Sequence, residues 1–309
     1  METQVSQKPP FGAAAFREPA VWVRFLHKVL KFLHDFWRMH PLGAIGAVIV
    51  TVLILVAAFA PWLAPFGPKF TGFDARIPPG DLHWFGTDHL GRDIFSRVVW
   101  GSRLSLYVGL VSVGVGVTFG ALWGIVTAYV GGFWDVVTQR IVDVMMGFPP
   151  IILALGLMAV LGTSVDNVVL ALVVLLTPSA ARTMRSSVLS LKEMTYVESA
   201  RAVGSSSLRI VFRHLIPNCL GTYIVLFTVN VAYAIVVEAA LSFLGLGSPP
   251  DEPSWGGMLN AATPDLERAP YIALFPGGAI CLVVFGLNLL GDAIRDMTDA
   301  KMRGRIGDE

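Results

Sequence analysis

Charged residues are scarce in this sequence and are absent from long stretches of it. Only 15% of the 309 residues are Asp, Glu, Lys or Arg, whereas 54% are hydrophobic. A soluble globular protein has about 25% charged residues, so the composition excludes an ordinary soluble domain. No charge occurs between Pro41 and Pro68, and a helix needs only about 20 apolar residues to cross a bilayer. We therefore expect several membrane-spanning helices.

Cysteine and metal-binding patterns are also nearly missing. The two cysteines, Cys219 and Cys281, both lie in apolar stretches. This position predicts small buried hydrophobic residues rather than a disulfide or a metal site. The six histidines lack the spacing of metal ligands on one helix face, so we expect no metal site.

Enzyme motifs are missing as well. The sequence has no G-x-x-x-x-G-K-[ST] phosphate loop, so the chain itself is expected neither to hydrolyse ATP nor to bind a cofactor. It also lacks H-E-x-x-H and G-x-S-x-G, which argues against a membrane-embedded hydrolase. We predict no catalytic residue and expect no nucleic-acid partner.

Six hydrophobic runs are predicted to span the membrane. They cover residues 42–63, 104–130, 144–161, 168–181, 220–241 and 272–290. Pro149 and Pro150 predict a kink in the third run, or its start. With the N-terminus inside, 17 of the 23 Lys and Arg residues are cytoplasmic, as the positive-inside rule prefers. The first run begins too late for a cleavable signal peptide and is predicted to remain as an anchor.

The most distinctive segment, residues 196–218, lies between the fourth and fifth runs on the cytoplasmic side. Residues 195–203 predict one short helix, and Gly204 permits a sharp turn into a second. Four apolar residues share one face of that second helix. They are Leu208, Val211, Phe212 and Leu215. Serines 205–207 offer N-cap oxygens, and Pro217 is predicted to stop the helix.

This segment resembles the cytoplasmic coupling loop of ABC importer permeases. The pattern is Glu-Ala-Ala, three residues, Gly, then nine residues before a short apolar stretch that ends in Pro. Ser199 replaces the middle Ala, and His214 occupies a position that is often apolar. The matching site residues are Glu198, Ser199, Ala200, Arg201, Gly204, Arg209, Arg213, His214, Ile216 and Pro217.

The resemblance implies that the loop enters a groove of an ATPase subunit. Glu198 would be the charged contact, Gly204 the turn and Pro217 the junction that transmits movement to the fifth span. The alternative is a helix pair that rests on anionic lipid at the membrane surface.

A second segment, residues 85–106, resembles the approach to the second span in dipeptide, oligopeptide and nickel importer permeases. Gly86, Gly91 and Gly101 predict turns. A compact charged cluster would form an outer cap, either held by internal ion pairs, which we favour, or in direct contact with the solute. The predicted cap residues are Asp88, Gly91, Arg92, Asp93 and Arg97.

A third segment, residues 238–257, resembles the end of the fifth span and the next outer loop of the C-type permease in that family. Its site residues are Glu238, Gly245, Gly247 and Trp255, as a possible outer gate or docking loop. Glu238 either acts at membrane depth or sits at the interface and bonds to backbone. Trp255 is predicted to anchor at the interface. The loop either docks a binding protein or serves packing.

Together the resemblances imply an all-α polytopic protein with six transmembrane helices, the type I ABC importer permease fold and both termini in the cytoplasm. The predicted divisions are a cytoplasmic segment (1–41), a first helix with its outer loop (42–103), a core with the coupling loop at 193–217 (104–292), and a cytoplasmic tail (293–309).

The implied function is half of a translocation pathway for peptides in a bacterial inner membrane. The implied partners are a homologous B-type permease, two cytoplasmic ATPases that bind ATP and Mg²⁺, an extracytoplasmic solute-binding protein and membrane lipid. A nickel importer of the same family is an alternative. A secondary transporter would usually show an internal repeat with paired broken helices, and a channel would leave the coupling loop unexplained.

Overall fold

The structure is a computed structural model that describes the backbone of residues 36–306 and the side chains of residues 36–298. Contacts divide the chain into two units, residues 1–41 and 42–309. Most of the predicted N-terminal segment and the end of the predicted C-terminal tail lie outside the described residues. Within the described range the chain is almost wholly helical and contains no strand, only one isolated bridge between Thr87 and Asp93.

The helices follow one another with short connections, apart from two longer loops at residues 64–93 and 244–254. In order they are α1 (Pro41–Ala58), α2 (Ala60–Leu63), α3 (Ile94–Val130), α4 (Gly132–Met146), α5 (Pro150–Leu161), α6 (Val165–Leu191), α7 (Thr195–Ala202), α8 (Ser207–Ile210), a π turn (Val211–Leu215), α9 (Ile216–Phe243), α10 (Trp255–Ala262), a 3₁₀ turn (Thr263–Asp265) and α11 (Tyr271–Ile306).

Five helical runs are long and apolar enough to cross a membrane, and α4 with α5 makes a sixth if the bent pair counts as one span. The predicted third span at 144–161 therefore covers only the end of α4 and all of α5, and it misses most of α4. The two helices meet at an angle of 87°. The expected effect of the proline pair is confirmed, because α5 begins at Pro150 and proline suits the first turn of a helix.

Three other predicted boundaries also differ from the structure. The second span begins at Ile94, ten residues early, because Asp93 caps the helix before its hydrophobic part starts. The fourth is a full helix of 27 residues rather than a short one. The sixth continues past residue 290 to Ile306. The polar ends of these helices do not raise the local hydropathy. The hydrophobic runs in the sequence are therefore shorter than the helices.

Helices α3 and α6 pack together along a row of small residues. Gly116, Gly120 and Gly124 lie four residues apart, and the Cβ positions they lack would meet Val173, Thr177 and Ala181 in the same order. The two helices therefore run parallel with their backbones in close contact. The hydroxyl of Thr177 also donates to the carbonyl of Gly116 (3.2 Å). Without a hydrophobic driving force in lipid, such close approach is a main source of helix association.

Of the two cysteines, Cys219 is buried as predicted, whereas Cys281 is exposed on the surface of the chain. The expectation of burial for both is thus wrong for Cys281. It lies in α11, a span whose apolar surface is largely uncovered within the described residues. An apolar environment for this thiol can therefore come from lipid as well as from the protein core.

Candidate coupling loop and outer site

The cytoplasmic loop forms two short helices joined by a left-handed glycine. Helix α7 ends at Ala202, and Gly204 has φ +76°. A side chain there would meet no other atom within 4 Å, so the backbone conformation alone requires glycine. Ser206 caps α8 by accepting from the amide of Arg209 (3.4 Å). The predicted helix–glycine–helix geometry is confirmed.

The apolar residues of the second helix do not form one buried face, contrary to the prediction. Ile210, Val211 and Leu215 are buried, whereas 72% of Leu208 and 65% of Phe212 are exposed. The π turn adds one residue to the helical repeat, so positions that an α-helix would align are rotated apart. Large apolar side chains consequently remain on the outside of the loop.

Pro217 does not stop the helix. It lies in the first turn of α9, and the helical run continues unbroken from Ser207 to Phe243. A proline ring in a regular helix would clash with the carbonyl four residues earlier, here that of Arg213. Arg213 lies inside the π turn, which widens the helix at that point. The loop therefore enters the fifth span without a break.

The loop packs against the end of α3 in one buried cluster, and two ring contacts, one to α3 and one within the loop itself, also hold it. The guanidinium of Arg201 lies over the ring of Tyr129, 5.7 Å from its centroid. The ring of His214 packs at 6.1 Å from that of Tyr196. Partial burial, and then the nearby thiol of Cys219, raise the pKa of the Tyr196 hydroxyl. One side of the loop thus packs against the membrane helices.

The opposite surface of the loop is open. Glu198, Ser199 and Arg201 on α7 are exposed, as are Arg209 and the apolar side chain of Val203. By contrast, Ala200 is buried. His214 and Ile216 are half-buried, Arg213 and Pro217 are exposed. The predicted coupling residues therefore gather in one segment, although they are not all on one surface.

The outer cap is held largely by internal contacts, as we favoured from the sequence. Arg92 donates from Nε to Asp88 Oδ2 (2.6 Å), and both residues are buried. Asp93 accepts from the amide of Ser96 (2.7 Å) and lies 2.9 Å from Nδ1 of His83.

Glycines shape this cap in different ways. Gly91 has φ +70°, and the carbonyl of Phe73 leaves no room for a side chain there. Gly86 also has a positive φ, of +80°. The predicted turn at Gly101 is wrong, because this residue lies inside α3 and makes room for the indole of Trp255.

Trp255 is not an interface anchor. It is buried, and its Nε1 donates to the carbonyl of Val98 (3.0 Å). Its indole fills the space above Gly101, so it ties α10 to the beginning of α3. The interface prediction failed because a tryptophan beside an outer loop has the same sequence signal whether it faces lipid or packs on a glycine.

Glu238 lies inside the protein near the outer end of α9. It is buried, and Oε1 accepts from the hydroxyl of Ser242 (2.8 Å), while Oε2 has no partner among the described residues. The expected bond to backbone is therefore not seen. Gly247 lies against Ser242, and Gly245 turns the chain with φ +78°. A role of Glu238 in transport stays a prediction.

The sequence did not lead us to predict two ion pairs between α4 and α6. Arg185 pairs with Asp135, and Arg182 with Asp143. Oδ2 of Asp143 also lies 3.6 Å from Nη1 of Arg140. One signal could have revealed the pairs. Asp135 and Asp143 are eight residues apart on one helix face, and the two arginines are three apart on the next long helix.

Comparison with known proteins identifies the family. Residues 116–304, more than half of the chain, match the family described as "Binding-protein-dependent transport system inner membrane component". The chain belongs to this permease family. Residues 31–79 also match the N-terminal transmembrane domain of oligopeptide transport permease C. Membership places the protein in the inner membrane and implies, in general, partner ATPases and a binding protein.

Curated relatives resemble the permease over most of its length. It is 43% identical to the glutathione transport system permease protein GsiD of Escherichia coli O1:K1 / APEC, over 88% of this chain and 91% of that protein. Identity to GsiD of Shigella dysenteriae serotype 1 is 42% with the same coverage. A chain of the MetNI methionine ABC transporter superposes with a TM-score of 0.51 at 19% identity, over 66% of this permease and 96% of that chain. This last likeness shows the type I importer fold.

Proposed function

We propose that this permease is the C-type subunit of an ABC importer for small peptides. The named relatives serve glutathione transport, and glutathione is itself a tripeptide. The match to oligopeptide transport permease C supports the same class of solute. The other half of the pathway would come from a homologous B-type permease, and the solute would be delivered by an extracytoplasmic binding protein.

The observation that carries this proposal concerns the cytoplasmic loop, which packs on α3 with one side and exposes the other. One side of the loop packs on α3, whereas the side chains of Glu198, Val203 and Leu208 are exposed. A surface that mixes charge with large apolar side chains suits a protein groove. We assign it to one of two cytoplasmic ATPases, which would bind the ATP and Mg²⁺.

The proposed mechanism uses the helical continuity between the loop and α9. Closure of the ATPase pair on ATP would push the loop, and the helix continuous with it would carry the displacement across the bilayer. The two permeases would then open outward to receive the solute. Hydrolysis would release the ATPases and return the pathway to its inward-open state. Selectivity would reside mainly in the binding protein.

Two variants in the loop test the proposal. Glu198→Lys reverses the exposed charge, and Gly204→Val forces a branched side chain into a left-handed backbone, which strains the turn. Both are expected to insert normally, to abolish uptake and to uncouple ATP hydrolysis. Glu267→Lys is the matched control, because it makes the same charge change at an exposed position on the outer side.

The measurement combines co-purification with uptake. Tagged wild-type protein in mild detergent should recover a second permease and two ATPases, and Glu198→Lys should recover less ATPase than Glu267→Lys does. Normal uptake by both loop variants would refute the coupling assignment. A homo-oligomer without ATPase would refute the importer assignment.

A further inference from the structure

A polar pocket on the outer side joins the two outer segments that the sequence singled out separately. It has a volume of about 340 Å³. Its wall comes from the outer cap, the start of α3, the loop after α9, and α10. The polar residues that matter most are His89, Arg92, Arg97, Ser242, Ser248 and Asp251.

Arg97 is the unusual member of this pocket. Only 3% of it is exposed, and the one hydrogen bond of its side chain within the described residues runs from Nη1 to the carbonyl of Pro68 (2.8 Å). Its Nε is buried without a partner. A guanidinium has five N–H donors, so most of its capacity is unused.

Nearby carboxylates are engaged elsewhere or lie in solvent. Asp88 is paired with Arg92, and Glu252 with Lys69. Asp251 is exposed at the mouth of the pocket. No carboxylate of the described residues forms an ion pair with Arg97. Burial of an unpaired charge is costly, and the cost falls when an anion binds.

Two further groups on the pocket wall also lack partners. Nδ1 of His89 and Oγ of Ser248 are buried, and neither makes a hydrogen bond within the described part of the chain. Buried polar groups are normally satisfied. Three unsatisfied groups around one pocket therefore indicate a ligand that accepts hydrogen bonds.

We propose that this pocket binds the free carboxylate of a small solute, with Arg97 as the cationic contact and Ser248 as a second donor. A planar guanidinium matches a carboxylate through two parallel hydrogen bonds. The pocket lies at the outer ends of the spans, at the side where an importer receives its solute. The identity of that solute as a peptide C-terminus rests on the proposed function, whereas the carboxylate site does not.

The test uses the complex as it is purified from the membrane, placed in lipid nanodiscs without a binding protein. Its thermal midpoint is followed by tryptophan fluorescence while dialanine or dialaninamide is added. A ligand that binds only the folded state raises the midpoint with its concentration. Dialanine should do so and dialaninamide, which lacks the carboxylate, should not.

Variants separate the pocket from non-specific effects. Arg97→Gln should weaken the response to dialanine by about tenfold or more, because a charged hydrogen bond is lost. Arg103→Gln is the matched control, since Arg103 is an exposed arginine on the same helix that stacks on Trp100. It should respond like the wild type.

A milder variant covers the case in which Arg97→Gln fails to fold. Ser248→Ala removes a hydroxyl without an internal partner, so the midpoint without ligand should stay the same. Its response to dialanine should fall several-fold. An unchanged response in Ser248→Ala would overturn the proposal.

Other results of the dialanine and co-purification measurements also decide whether the pocket and the proposed function are correct. Equal stabilisation by dialaninamide, or no stabilisation of the wild type by dialanine, overturns the site. If no ATPase co-purifies, the proposed function fails, while the dialanine measurement still decides the pocket.

Discussion

The carboxylate of Asp135 on α4 accepts two parallel hydrogen bonds from the guanidinium of Arg185 on α6, each 2.7 Å long. Residues 147–149 break the helical ladder immediately after α4, so this short helix has little continuity with the next span. The bidentate pair, together with Arg182 and Asp143, is therefore a principal polar attachment of α4.

We expect Asp135→Asn and Arg185→Gln each to lower stability by about 1–3 kcal/mol, since each leaves the other partner partly buried without its charged hydrogen bonds. The double variant should lose less than the sum of the two. Thermal midpoints in detergent measure these effects. Arg140→Gln is the control, because 80% of the Arg140 side chain is exposed and no change is expected. Full additivity of the two single changes would contradict the pairing.

The contact between α3 and α6 gives a second prediction. Gly124→Ala should destabilise the protein by about 1–3 kcal/mol, because the added methyl group has no room beside Ala181 and must separate the helices. Gly114→Ala, in the same helix but with open space around it, should be neutral or slightly stabilising. Thermal midpoints of the two variants compare them directly, and equal gains in stability would show that helix propensity rather than packing decides.

The rotated faces of the coupling loop give a third prediction. Leu215→Ala should cost about 2–5 kcal/mol, since Leu215 is fully buried. Leu208→Ala removes an equal volume from an exposed side chain and should leave the folded chain unaffected. In the assembled complex we expect Leu208→Ala to reduce the amount of co-purified ATPase more than Leu215→Ala does. The expression level of Leu208→Ala should stay unchanged. Similar instability of both variants would contradict the observed exposure.

Asp93 gives a fourth prediction, because it caps α3 and also contacts His83. Asp93→Ala removes both interactions and should destabilise the outer cap by about 1–2 kcal/mol. Asp93→Asn retains an oxygen for the cap and should cost less. Limited proteolysis from the outer side should cut Asp93→Ala faster than the wild type, with Asp93→Asn in between. Equal cutting of both variants would assign the effect to charge rather than to capping.

Features encoded by neighbouring residues could be predicted from the sequence. Gly204 and Ser206 define the turn and cap of the coupling loop within a few residues, and Pro150 defines the start of α5. The long apolar runs located five spans and part of a sixth, because hydropathy summed over about 20 residues dominates any single position.

Features that depend on residues far apart in the chain could not be predicted. The burial of Trp255 follows from the absence of a side chain at Gly101, and hydropathy does not report such a pair. The π turn at Val211–Leu215 similarly reverses the exposure of Leu208 and Phe212, although their spacing is typical of an ordinary amphipathic helix. The outer pocket joins two segments that are 145 residues apart, Arg97 at the end of one and Ser242 at the start of the other, and only the folded chain brings them together.

The helix from Ser207 to Phe243 is unbroken, so it would act as a lever if its cytoplasmic end were pushed as proposed. Its 37 residues make a rod about 55 Å long at 1.5 Å per residue. A tilt of about 10° at the loop would swing the far end by roughly 10 Å, given that length. Glu238 and Ser242 sit at this far end, so a small push in the cytoplasm would be amplified where the outer pocket begins.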